Sequence, residues 1–117
     1  PLYSSAASDV YKRQDEWINC MWDNEDWAKR HIAKKHPGVS PQDAWECAFE
    51  DPEAKFLLSG DQLRFPPYRR YWTIGVNKAG RKLLVVWEQF KKEQNLITVY
   101  PLNEKQVKEY ERQIKKR

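Results

Sequence analysis

The chain has 117 residues and a mass of 14.1 kDa, the size of a single domain. With 40% hydrophobic and 14% aromatic residues, six of them Trp, it holds enough apolar surface to offset the entropy of folding, which excludes wholesale disorder. Net charge is +4 but uneven: residues 15–63 carry 5 basic and 11 acidic side chains, whereas residues 64–92 carry 8 basic and a single acid, Glu88. That contrast points to a polyanion-binding face beside a differently charged one; the plain alternative is Lys and Arg on solvated strand edges, where they block aggregation.

Residues 1–14 lack hydrophobic periodicity and resemble translated adapter sequence, so a non-native, disordered leader is expected there, followed by a single domain over residues 15–117. The longest apolar run, Leu83 to Trp87, falls far short of the ~20 residues of a membrane helix. With no charged-then-apolar leader, a cytoplasmic protein without membrane contacts is the expectation.

The first predicted element is a strand, Trp17 to Trp22. Asp23 or Asn24 then caps a helix with Glu25 and Asp26 in its first turn, the signs a helix N-terminus prefers. Trp27, Ala28, His31, Ile32 and Lys35 fall on one helical stripe, and His36 before Pro37 ends it, because a residue preceding proline avoids helical angles. A second helix begins with Ser40 as cap, Pro41 at the first helical position and Asp43 reaching back. Ala44, Trp45, Ala48 and Phe49 form its apolar face, and Asp51-Pro52 closes it.

Four strands are predicted next. Lys55 to Leu58 is short, and a turn-rich loop runs from Gly60 to Pro67. Arg70 to Val76 alternates, with Trp72, Ile74 and Val76 on one face and Tyr71 and Thr73 on the other. Asn77 to Gly80 forms a hairpin turn, Lys82 to Phe90 is apolar enough for a central strand, and Leu96 to Tyr100 is stopped by Pro101. Short connections imply an antiparallel meander. Asn103 caps a last helix with Val107, Tyr110 and Ile114 on one face. The expected fold class is α+β: two N-terminal helices, an antiparallel sheet of four to five strands and a closing helix.

Cys20 and Cys47, 27 positions apart and without a Cys-x-x-Cys or a matching His pair, read as two buried thiols rather than a disulfide or zinc site. No metal-ligand motif or phosphate-binding glycine loop is present, so neither metal nor cofactor is expected.

Several pieces in order resemble the BrnT group of toxins from bacterial type II toxin–antitoxin modules, within the RelE/ParE-like fold. They are Trp22-Asp23, His31 to His36, Gly38 to Ala44, Asp51-Pro52, Arg70 to Gly75, Gly80 to Val86, and Pro101 to Tyr110 with Glu111-Arg112. Pro37 is an insertion relative to the family's His-Gly-Val, and Tyr100 stands where many members carry a basic residue. The resemblance implies a metal-independent endoribonuclease in which the 2′-hydroxyl of RNA attacks the adjacent phosphate. It also implies a cognate antitoxin, of the ribbon-helix-helix type, as partner in a hetero-oligomer.

Such a reaction needs proton carriers and cations around the phosphate. Arg70 and Arg81 suit phosphate through bidentate contact, and because they flank one hairpin they are expected near one end of the sheet. His36, His31, Glu88 and Tyr71 are the candidate proton carriers, with Lys35 joining them if a cationic neighbourhood lowers its pKa. Lys29, Lys34, Arg69, Tyr71 and Lys82 are the expected RNA contacts, Tyr71 and Tyr68 as platforms for unpaired bases. Each has a structural alternative. His31 reads more simply as a hydrogen-bonded core residue, His36 as a cation relieving a helix dipole, and Glu88 as the partner of Lys82 or a neighbouring Arg. The competing function is a non-catalytic module that holds nucleic acid or protein on the same basic sheet face, a reading that Pro37 and Tyr100 favour.

Overall fold

The structure is a computed structural model that describes residues 21–58, 69–90 and 92–115. The leader, most of the strand expected at Trp17–Trp22, Cys20, the loop Gly60–Pro67 and Tyr68 lie outside the described residues. Met21 and Trp22, the end of that expected strand, are in none.

Alternating apolar residues and a tight turn build the centre of the fold. Strand β2 (Arg69–Val76) turns through Asn77–Gly80 into β3 (Lys82–Phe90), with Val76 opposite Lys82 and Arg69 opposite Gln89. β1 (Lys55–Leu58) pairs with β2, and β4 (Glu93–Pro101) pairs with β3, giving an antiparallel meander in the order β1-β2-β3-β4. The four-strand α+β expectation is met. β4 starts at Glu93, three residues before the predicted Leu96, because polar Glu93, Gln94 and Asn95 pair with the end of β3. Val86 pairs with Thr98 but Trp87 with Leu96, so Ile97 is a bulge that bends the edge strand.

One sheet face carries the core. Tyr71, Leu83, Val85, Trp87, Leu96 and Val99 join Phe56 and the buried faces of the two N-terminal helices. Trp87, fully buried, has Tyr71 stacked on it at 4.6 Å and meets Phe49 edge-on at 4.9 Å. Its indole N–H is satisfied by the Thr73 hydroxyl at 2.9 Å, the partner a buried tryptophan needs.

Helix α1 (Glu25–Lys35) buries Ala28 and Ile32, an i,i+4 pair. The predicted stripe is narrower than expected: Trp27 is 46% exposed and stacks on His31 at 4.7 Å, on the flank of the buried pair. His31 is therefore half-buried rather than a core residue. Asn24 occupies the cap position but makes no side-chain cap bond. Its carboxamide instead accepts from Leu96 N–H and donates to Leu96 C=O, both at 2.8 Å, tying the helix start to β4.

Helix α2 (Pro41–Trp45) carries the full predicted capping box. The Ser40 hydroxyl accepts from Asp43 N–H at 3.2 Å, and the Asp43 carboxylate accepts from Ser40 N–H at 2.9 Å. It continues as a π-helical turn, Glu46–Glu50, whose wider winding lets Cys47, Ala48 and Phe49 bury in succession. This turn packs against β2. Gly75 of β2 accommodates the approach: a Cβ there would lie 2.8 Å from Asp51 Oδ2 and 2.9 Å from Cys47 O.

Helix α3 (Glu104–Lys115) opens with Asn103 accepting from Gln106 N–H at 2.8 Å. Tyr110 meets Trp72 of β2 edge-on at 6.4 Å on the second sheet face. No helix among the described residues is long and apolar enough to cross a membrane.

Candidate functional site

The register of β2 and β3 separates the two arginines that head the predicted site. Arg70 pairs with Glu88 at the open end of the hairpin, whereas Arg81 precedes the Lys82–Val76 pair at the turn end. Six residue steps along β2 lead from Arg70 to Val76, about 20 Å at roughly 3.3 Å per residue. The expectation that both arginines share one end of the sheet is corrected: two strand starts in an antiparallel hairpin face opposite ways.

At the open end, Arg70 Nε donates to Glu88 Oε1 at 2.9 Å, and Nη2 donates to the same oxygen. Glu88 is thus the partner of a neighbouring arginine, the structural alternative to its role as proton carrier, and Arg70 meets a ligand with its charge already offset by a carboxylate. Arg69 is exposed beside this pair, opposite Gln89.

Tyr71 is 1% exposed and packed on Trp87. It has no surface for a base or a reacting proton. Its β2 parity points it to the core, as it does Thr73, so its expected roles as base platform and proton carrier are withdrawn.

The turn end collects the other candidates. His36 caps the C-terminus of α1, and its ring meets Tyr100 of β4 at 4.8 Å and 73°. Two residues on, Gly38 takes φ +89°, in the left-handed region that favours glycine, and its carbonyl accepts from Arg81 Nη1 at 3.4 Å. The Arg81 backbone N–H is fixed by Asn77 Oδ1 at 2.9 Å. Lys82 follows, exposed, its carbonyl accepting from Leu102 N–H at 3.0 Å. Because Leu84 pairs with Tyr100, Lys82 is a diagonal neighbour of Tyr100 on the same face. Lys34 and Lys35 are exposed in the last turn of α1. The loop from His36 to Val39 thus meets the Tyr100 phenol through His36 and the Arg81 guanidinium through Gly38, and Lys82 lies at the same end of the sheet. Lys29 is exposed nearer the start of α1.

A cleft of about 340 Å³ adjoins this end on the second sheet face. Arg70 lies at its margin, Trp72, Val86 and Thr98 line it from the strands, and Tyr110 of α3 and Tyr100 complete it. Tyr100 thus touches both the cleft and His36. Sequence reasoning gave no role to Trp72, Tyr100 or Tyr110, although Arg70 and Trp72 share the parity of β2 and Tyr110 lies on the apolar stripe of α3.

Cys47 is fully buried, with its thiol against Leu83 C=O at 3.7 Å. Burial, and secondarily the Asp51 carboxylate, push its pKa up to about 12, so it is a packing residue rather than a nucleophile.

Compared with protein-family models, curated proteins and solved structures, the chain matches none of them. The functional reading therefore rests on the chemistry of these side chains.

Proposed function

We propose that the protein is a BrnT-like toxin of a type II toxin–antitoxin module, a metal-independent endoribonuclease acting at the turn end of its sheet. The observation that carries the reading is the approach of His36 to Tyr100 beside Arg81 and Lys82. In the proposed reaction a ring nitrogen of His36 takes the proton of a ribose 2′-hydroxyl, and the freed oxygen attacks the neighbouring phosphorus. Arg81 and Lys82 hold the charge that builds on the phosphoryl oxygens. Tyr100, an exposed residue, gives its hydroxyl proton to the departing 5′-oxygen. The products are a 2′,3′-cyclic phosphate and a 5′-hydroxyl. A ribbon-helix-helix antitoxin that covers this cationic end in a hetero-oligomer would block the reaction by excluding RNA.

The Arg70–Glu88 pair favours a second reading. An arginine already engaged by a carboxylate contributes less to phosphoryl charge, and a nucleic-acid-binding module needs only the exposed lysines, Arg81 and the aromatic cleft. Induced expression of the chain in bacterial cells separates the two. The toxin reading predicts rapid growth arrest with RNA cleavage, relieved by His36→Ala and by Arg81→Ala. Continued growth with intact RNA, protected in footprinting, supports the binding module instead.

A further inference from the structure

We propose that the cleft between the second sheet face and α3 is a nucleobase subsite that takes one unpaired base of the RNA strand and favours guanine. The inference rests on the RNA reading above and adds which part of the strand the cleft would recognise.

At about 340 Å³, the cleft has the size of a small-molecule pocket, roughly 300–1,000 Å³. Trp72 and Tyr110 form a corner in it, with ring centroids 6.4 Å apart and planes at 72°. A flat base laid on the face of one ring meets the edge of the other, a geometry aromatic groups favour. Stacking of this kind accepts any base and is the common device for holding single strands.

Selectivity comes from Arg70 at the margin. Its guanidinium is held by Glu88, with Nε 2.9 Å from Oε1, so the fork has a fixed orientation. An arginine fork matches the two acceptors, O6 and N7, on the edge of guanine, whereas adenine presents a donor at the equivalent position. Tyr100 lines the opposite margin and packs against His36. A base seated in the cleft therefore leaves its phosphate toward Lys82, Arg81 and His36. The cleft and the cationic end become two halves of one nucleotide site, with Tyr100 between them.

Calorimetric titration of the full chain with GMP, AMP and ribose 5-phosphate tests the subsite. GMP is expected to bind about tenfold more tightly than ribose 5-phosphate, and Trp72→Leu and Tyr110→Leu each to weaken it about tenfold. Arg70→Lys, which keeps a cation beside Glu88, is expected to erase the preference for GMP over AMP. Circular dichroism confirms that each variant is folded. Equal binding of GMP and ribose 5-phosphate, or GMP binding untouched in both aromatic variants, overturns the subsite. RNA cleavage assayed on the same samples keeps the two claims apart. Trp72-dependent GMP binding by a protein that leaves RNA intact supports the subsite and refutes the ribonuclease, whereas cleavage without such binding refutes the subsite alone.

Discussion

The imidazole of His36 meets the phenol ring of Tyr100 with 4.8 Å between centroids, joining the end of α1 to the edge strand β4. A histidine at a helix C-terminus relieves the dipole as a cation, but here its ring also meets an exposed tyrosine at the end of the sheet that carries Arg81 and Lys82. His36→Ala is expected to slow RNA cleavage a hundredfold or more, the scale on which general acid–base groups act. Thermal denaturation of the same variant separates lost chemistry from lost folding: a dipole role alone would lower the melting temperature and leave cleavage per folded molecule unchanged.

Arg70 and Glu88 stand opposite one another across β2 and β3, half-buried. Removing one partner strands the other charge in a partly desolvated place. The Arg70→Ala/Glu88→Ala double variant should therefore lose less stability than the two single variants' losses added together. Denaturant titrations of the four proteins should return a coupling energy on the order of 1 kcal/mol, at the upper end for cross-strand pairs. Strict additivity would show that the pair contributes nothing.

Gly75 lets the π-helical turn lie against β2. A methyl group there meets Asp51 Oδ2, Cys47 O and Cys47 Sγ at 2.8, 2.9 and 3.1 Å. All three belong to the Cys47–Asp51 segment, and the two nearest are held, Cys47 O by the backbone and Asp51 Oδ2 by the bond from Val76 N–H at 2.9 Å, so they cannot swing aside. Gly75→Ala is expected to cost about 1–3 kcal/mol, as overpacked cores do. Calorimetry should find this as a drop of several degrees in Tm. An unchanged Tm would mean that the helix and sheet separate freely at this contact.

The thiol of Cys47 links stability to alkaline pH. Its pKa is pushed up from 9.0 to about 12, chiefly by burial. Below 9.0 both the folded and the unfolded thiol keep their proton. Above it the unfolded thiol ionises while the folded one does not, so unfolding releases a proton and stability falls as pH rises toward 12. Urea titrations at about pH 7 and about pH 10 should show a larger loss in the parent protein than in Cys47→Ala. Equal losses would mean that the thiol is open to solvent.

The fold was legible where short-range physics decides it. Ser40, Pro41 and Asp43 announce a capping box, and the alternation from Arg70 to Val76 with the Asn77–Gly80 turn announces a hairpin. The faces of β2 followed from parity alone. Legibility failed where a side chain's partner lies far along the chain. Asn24 looks like a cap but bonds Leu96, 72 positions away, and Trp27 looks like core but lies outside the Ala28–Ile32 pair. The site was harder still. Arg70 and Arg81 flank a hairpin in sequence, yet antiparallel pairing sends them to opposite ends. Arg81 reaches the loop that follows His36 through the carbonyl of Gly38, 43 positions away, a contact that no local pattern encodes. Tyr71 failed as a platform because its parity points it at Trp87.

The most direct test is incubation of the purified chain with RNA in excess EDTA, followed by analysis of the new termini. The account predicts internal cleavage with 2′,3′-cyclic phosphate and 5′-hydroxyl ends, lost in His36→Ala and in Arg81→Ala. RNA that stays intact, or variants that cut as fast as the parent protein, would contradict it.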